Sequence, residues 1–513
     1  MDFIYRFGDK KIRIASDEKA EYIDNTAGNP EKPDSFEINL DSLYMAYQMF
    51  PSNIKSYIDA FGSLFFREPQ IRMYDEIRNI PNAIPATGND IYNYMARYGM
   101  ANYQIQAVLK FNSRLDPIKL MKAVSIANNV EPVFGCRFIE NQPPYWLPLS
   151  DTEKRGIYSF EETNNTDEAV REFLESPLDM DKDPMVKVKL ISSGAFDTLC
   201  LKINHTCTDG SGVKEYIHLL SDIYCSIDQN RECVHRPRIR SRADQDKLLN
   251  NLGITDLEAA RDPNSQVPKT VWPFCWKVGI PGDISVSICK IPRGYLGILS
   301  DYAKARGATM NDMILTGYYR AMFELSKPPY GIPMDISMTV DLRRYLPNQK
   351  TEAIRNFSGG FLTRLPRIMN EPFGDTLSRV VNVTKQVKNG TPGLQSALGL
   401  EHVEKGDFYG TLSFYENISK VFKLCSGFFG FCNPILSNMG FIDKSLLRFG
   451  ESYVTDAYII PPALCAPGIL LCVGSYNNEI TLTVSYYKAH GNSNQIQKLL
   501  DLIRSEMIDG CRS

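Results

Sequence analysis

The stretch Leu199-Cys200-Leu201-Lys202-Ile203-Asn204-His205-Thr206-Cys207-Thr208-Asp209-Gly210-Ser211-Gly212 decides how the rest of the chain is read. Leu199, Leu201 and Ile203 alternate with other residues, which predicts a strand. After Gly210, the residues Val213, Tyr216, Ile217, Leu220, Ile223 and Tyr224 recur at i, i+3, i+4 and i+7, which predicts an amphipathic helix. His205 therefore sits where a strand ends and a helix begins. An imidazole titrates near working pH, so it suits general-base chemistry there. Gly210 and Gly212 suit a tight bend and leave amide donors open to a ligand. The motif alone has a second reading, in which His205 is structural and Asp209 caps the helix.

Upstream, Val186, Val188 and Leu190 form another alternating run, with Lys187 and Lys189 pointing the other way. With 192–197 as a loop, the two runs predict a hairpin. Tyr103, Ile105, Ala107, Leu109 and Phe111 predict a half-buried strand. Asp116-Pro117 opens a helix with Leu120, Met121, Val124 and Ala127 on its apolar face. Downstream, Thr309-Met310-Asn311-Asp312 has capping-box form and begins a helix through Leu325. Residues 335–340 predict a strand, 469–476 and 480–486 two strands joined at Asn477-Asn478, and 493 onward a last helix. Strands and helices in both halves predict an α/β fold.

The chain's 513 residues exceed what one core accommodates, so more than one core-bearing unit is expected. We divide it into an N-terminal extension (1–82, a loop at 25–35 and short helices over 40–80), a first lobe (83–225), a polar linker (226–270) and a second lobe (271–513). A net charge of −3 gives no global field to recruit nucleic acid. No basic leader, no long apolar run and no Cys-x-x-Cys pair among the 12 cysteines are found. These features predict a cytoplasmic protein with unpaired thiols, no membrane span and no metal site. His218, His402 and His490 lack a partner motif and read as structural or exposed. His235-Arg236-Pro237-Arg238-Ile239-Arg240-Ser241-Arg242 is a compact basic run. It reads as a solvated linker or, more sharply, as an anion contact through Arg238, Arg240 and Arg242.

The stretch 203–212, set between strand and helix, resembles the chloramphenicol acetyltransferase-like superfamily of acyltransferases. That group includes alcohol acetyltransferases, wax ester synthase-like enzymes and nonribosomal peptide condensation domains. Glu131–Phe138, Pro177–Met180 with Asp183–Val186, Val340–Arg344, Asn356–Gly360 and Ser437–Gly440 resemble further family segments, in the family's order. The resemblance covers about residues 83–513. Asn204 stands where many members have a first histidine, and no Asp-Phe-Gly-Trp-Gly motif of plant members is present.

The resemblance implies two similar lobes, each a mixed sheet flanked by helices, with an active-site tunnel between them. It implies direct acyl transfer from a thioester to a small-molecule hydroxyl or amine acceptor, with no permanently bound cofactor. His205 would be the base and Asp209 a loop-structuring residue paired with Arg343. Gly210, Ser437 and Asn438 would be oxyanion donors. The thioester co-substrate is expected to be acyl-CoA, held in part by Arg238, Arg240 and Arg242. The alternatives are a phosphopantetheine thioester on a carrier protein, and a non-catalytic member of the fold.

Overall fold

The structure is a computed structural model. It describes residues 80–98, 101–228, 236–260, 270–274, 282–413, 415–416 and 431–512, and the backbone of four strands, 2–7, 10–14, 20–23 and 35–39. Those four strands pair as one sheet in the order 20–23, 10–14, 2–7, 35–39. The extension thus carries strands that its sequence did not announce. The expected helices over 40–80 lie outside the described residues.

The expected hairpin is present. Val186–Ser192 and Asp197–Asn204 run antiparallel, with Val188 facing Leu201 and Leu190 facing Leu199. Gln104–Phe111 pairs antiparallel with Asp197–Asn204 on its other side. The apolar residues of these strands pack on the Pro117–Val130 and Gly210–Asp228 helices. Asp116 caps the first helix through the amides of Ile118 and Lys119. All six expected apolar positions of the second helix, Val213 to Tyr224, are buried. Met121 is not: it is half exposed.

Gln104–Phe111 differs from expectation in being buried on both faces. Its second face lies under the Thr166–Glu175 helix, against Ala169, Val170 and Phe173. The polar side chains there are satisfied by backbone. Gln106 donates to the Leu174 carbonyl (3.0 Å), and Gln104 accepts from the Leu178 amide (2.8 Å). Buried Lys202 donates to the Phe173 carbonyl at the end of that helix (2.6 Å).

The second lobe is built on a nine-stranded mixed sheet that includes Pro333–Asp341, Ser358–Pro366, Phe431–Phe441, Gly468–Tyr476, Glu479–Tyr487 and Ile284–Ile291. Met310–Ser326 and Ser493–Gly510 cover it, and Ile496, Leu499, Leu500 and Ile503 are fully buried. Thr309 and Asp312 close the expected capping box. Asn477 and Asn478 turn the last hairpin with φ of 46° and 63°, the left-handed conformations of a tight hairpin turn.

The division at 226–270 is not clean. Ser452–Ile460, from the second half, pairs antiparallel with Gln104–Phe111 and lies within the first lobe's six-stranded sheet. The linker itself contains the Ala243–Asn251 helix, with Leu248 and Leu249 buried. The nine described cysteines form no disulfide. No described helix is long and apolar enough to cross a membrane.

Strand exchange couples the two cores. Trp146 lies in the first core and Trp272 in the second. Variants keeping only one of these indoles should report the same denaturation midpoint. Ile459→Ala, which opens a cavity in the exchanged strand, should lower both midpoints by an amount equivalent to about 2–5 kcal/mol. Separate midpoints, with Trp272 unmoved by the substitution, would mean that the lobes fold independently.

Candidate active site

The Asp197–Asn204 strand delivers His205 to the junction of the lobes, and the Gly210–Asp228 helix starts five residues later. Asn204, fully buried, accepts from the Thr206 amide at 2.9 Å and shapes the turn. Asn204 thus serves as a turn-forming amide.

Residues 354–357 of the second lobe cross over this turn and bind nearly every part of it. Asn356 Nδ2 donates to the carbonyls of His205 (2.7 Å) and Thr206 (3.0 Å). A carbonyl only accepts, so these two bonds fix which end of the amide is nitrogen. Asn356 Oδ1 therefore faces His205 Nδ1, at 2.9 Å. An oxygen there requires a proton on Nδ1, which leaves Nε2 bare in the neutral ring. Burial pushes the His205 pKa below its ordinary value, outweighing the opposing pull of its own backbone, of Asp209 and of the Asn356 bond. The imidazole is thus neutral at pH 7, with its lone pair on Nε2.

Asp209 points away from this ring. Its Oδ2 receives Arg343 Nη1 (2.9 Å) and the Phe357 amide (2.7 Å), and its Oδ1 receives the Gly212 amide (2.9 Å). Both members of the ion pair are 5% exposed or less. Burial alone raises the carboxyl's pKa, but Arg343 and the two amides hold it below the ordinary carboxylate value. Arg343 also donates to the Arg355 carbonyl (2.7 Å) and approaches Asp341 (3.2 Å).

The glycines serve space rather than unusual dihedrals. Neither Gly210 nor Gly212 has positive φ. A Cβ on Gly210 would lie 2.2 Å from Met439 Sδ, and one on Gly212 would lie 1.8 Å from Thr208 Oγ1. Met439 reaches Gly210 because the Phe431–Phe441 strand bulges between Asn438 and Gly440, and a bulge re-aims the extra residue. Lys214 donates to the Met439 carbonyl (2.7 Å), and Ser211 to Asp341 (2.8 Å), so the bulge and the helix start are held together. The flanking side chains are occupied within the second lobe. Ser437 bonds Thr339 (2.9 Å), and Asn438 donates to Asn311 (3.1 Å) and accepts from the Gly440 amide (2.9 Å).

The basic run has a different role from the one expected. Arg240 is buried, paired with Asp90 (3.2 Å), and donates to the carbonyls of Ile354 (3.1 Å) and Cys207. Arg242 pairs with Glu404 (2.6 Å) and Glu401 (2.9 Å). Arg238 pairs with Glu131 (3.2 Å) and is the most exposed of the three. Arg240, buried against its carboxylate, has no surface to offer a phosphate, whereas Arg238 and Arg242 stay partly exposed. These arginines tie the linker to both lobes instead. Of the other histidines, His218 lies near Asp222 and Asp443, and His490 meets the Tyr487 ring edge-on. His235 and the side chain of His402 fall outside the described residues.

Sequence reasoning quoted Asn356 within a motif but gave it no task. It missed Tyr103, whose ring lies 5.1 Å from the His205 ring. No signal local to either residue announces its contact with His205.

Comparison with known proteins was made against this geometry. The Condensation domain family model matches residues 97–239. No curated protein sequence matches the chain significantly. Among solved structures, the chain is similar to the TRI3 trichothecene 15-O-acetyltransferase from Fusarium sporotrichioides, with TM-score 0.62, 13% identity, and 83% of this chain and 95% of that one covered. It is also similar to the first condensation domain of the calcium-dependent antibiotic synthetase (0.57, 14%, 84% and 98%). A third is polyketide synthase associated protein 5 from Mycobacterium tuberculosis (0.55, 13%, 83% and 99%). At such identities the likeness is one of fold.

Removing Asp209 leaves a buried guanidinium without its main counter-charge. Asp209→Ala should therefore lose about 3–5 kcal/mol of stability, read by chemical denaturation, together with activity. Unchanged stability would contradict the bracing role.

Proposed function

From the chloramphenicol acetyltransferase-like fold of this chain, two mixed sheets flanked by helices, we propose that it transfers an acyl group from a thioester to a hydroxyl or amine acceptor. The observation that carries this reading is the state of His205: Nδ1–H is held by Asn356, and Nε2 is left as a base at the lobe junction. In the proposed step, Nε2 takes the acceptor's proton as its oxygen or nitrogen attacks the thioester carbonyl. The tetrahedral intermediate collapses, the C–S bond breaks, and the imidazolium returns the proton to the departing thiolate. No acyl-enzyme forms. The oxyanion needs donors near 3 Å. The Gly210 amide, in a helix's first turn and lacking an intrahelical acceptor, suits that task, with the backbone of the adjacent 437–440 bulge.

The first reading of the donor is acyl-CoA. The second, an acyl group on a carrier protein's phosphopantetheine arm, is supported by the Condensation domain match over 97–239. Released CoA in the presence of an acceptor supports the first. Transfer only from an acyl-loaded carrier supports the second. Either way, His205→Ala should lower kcat/KM by roughly 10²–10⁴-fold. Full activity in that variant would overturn the mechanism.

The pH profile carries a further expectation. A base must be unprotonated to act, so activity is present above the folded-state pKa of His205 and lost as pH falls through it. Burial depresses that pKa. The acid limb of kcat/KM should therefore fall below the ordinary imidazole value of about 6.5. A limb above it would mean that another group limits the rate.

A further inference from the structure

Three tyrosines converge beside His205. Tyr92 lies on the Gly88–Met95 helix, Tyr103 just ahead of the Gln104–Phe111 strand, and Tyr415 beyond the Leu394–Lys405 helix. The Tyr103 ring tilts 37° to the His205 ring at 5.1 Å, and its carbonyl accepts from the His205 amide at 2.5 Å. Tyr92 meets Tyr415 edge to face at 6.0 Å. The Tyr103 hydroxyl lies within electrostatic reach of both other phenols. All three side chains are deeply enclosed by protein. All three, like His205, nevertheless keep accessible surface. Groups that are both enclosed and accessible border an interior space.

The chemistry of that border is specific. The hydroxyls of Tyr92 and Tyr103 have no hydrogen-bond partner among the described residues. No charged side chain among the described residues acts on the Tyr92 or Tyr103 phenol. Burial pushes all three phenols above their ordinary pKa, so they remain neutral donors. The nearest carboxylate to His205 in the motif, Asp209, is already neutralised by Arg343. An ammonium group brought here would lose its hydration and meet no counter-charge from the described residues around Tyr92 and Tyr103. A neutral hydroxyl would meet the Tyr92 and Tyr103 hydroxyls, and a flat ring would meet aromatic walls.

We propose that Tyr92, Tyr103 and Tyr415 form the acceptor wall beside His205 and select an uncharged, hydroxyl-bearing acceptor with an aromatic or fused-ring skeleton. The word acceptor rests on the acyl-transfer reading above; the selectivity of the wall does not.

Two isosteric probes test it: 2-naphthalenemethanol, which is neutral, and 2-naphthylmethylamine, a cation at pH 7. Their binding to the full-length protein is measured by calorimetry, without a donor. The alcohol should bind at least about tenfold tighter, since an unpaired buried charge is disfavoured by more than the 1.4 kcal/mol that tenfold represents. Tyr92→Phe and Tyr103→Phe keep the rings and remove the hydroxyls. Each should weaken alcohol binding roughly 2- to 10-fold, the ordinary worth of one hydrogen bond. Equal affinity for the two probes, no binding of either, or unchanged affinity in both variants would overturn the wall. Acyl transfer is assayed separately with the wild type. Failure of transfer with every donor, alongside the binding preference, would remove the catalytic reading and leave the wall in place.

Discussion

The ion pair between Asp209 and Arg343 is the constraint on which the site depends. Two charges taken out of water incur a desolvation penalty of several kcal/mol each, which their attraction offsets only when the remaining donors and acceptors are also satisfied. Here the carboxylate receives one guanidinium nitrogen and two backbone amides, and the guanidinium also reaches a backbone carbonyl. These partners come from three segments: the helix start, the 354–357 crossing and the end of the Pro333–Asp341 strand. One buried pair thus fixes the relative position of three backbone segments drawn from both halves of the chain.

The other interactions follow from where the pair places the 354–357 segment. Once that segment lies across the turn, the Asn356 amide reaches two carbonyls and the imidazole together. The Ile354 amide reaches Glu131 (3.0 Å), and its carbonyl receives Arg240. Arg240 in turn binds Asp90, which also closes the Thr87 cap of the Gly88–Met95 helix carrying Tyr92. A chain of charge-assisted bonds therefore runs from the histidine turn through the linker to the helix that brings one of the tyrosines. Such bonds are stronger than neutral ones and directional, which suits a site whose parts come from distant stretches of sequence.

What was legible in the sequence was what local pattern encodes. The strand and helix around His205, the capping boxes, the Asn477-Asn478 turn and the buried face Val213–Tyr224 all follow from periodicity and short-range hydrogen bonding. The Asp209–Arg343 contact was named only through resemblance, because 134 residues separate its partners. Features decided by long-range packing were misread or unseen. Gln104 and Gln106 looked solvent-facing, and a helix covers them. Arg240 looked like part of a solvated run because its carboxylate partner, Asp90, stands far away in sequence. The exchange of Ser452–Ile460 leaves no local mark, since a strand's alternation is the same whichever sheet it joins. The glycines of the motif looked like dihedral necessities, and a bulged methionine and a threonine hydroxyl decide them instead.

The neutral residue behind the imidazole bears on the chemistry proposed. A carboxylate at Nδ1 would orient the ring equally well, but it would also stabilise the imidazolium and raise its pKa. Asn356 supplies the orientation without the charge. In a transfer from a thioester, the proton that the base removes is needed shortly afterwards by a thiolate whose conjugate acid has an ordinary pKa of about 8.5. An imidazolium disfavoured by burial, with the nearby Asp209 charge offset by Arg343, passes that proton on readily. The buried pair and the amide therefore do complementary things. Arg343 engages the one carboxylate of the motif for structure, and Asn356 fixes the ring without charge, so that in the proposed transfer His205 would stay weak enough a base to act in both directions of the proton's path.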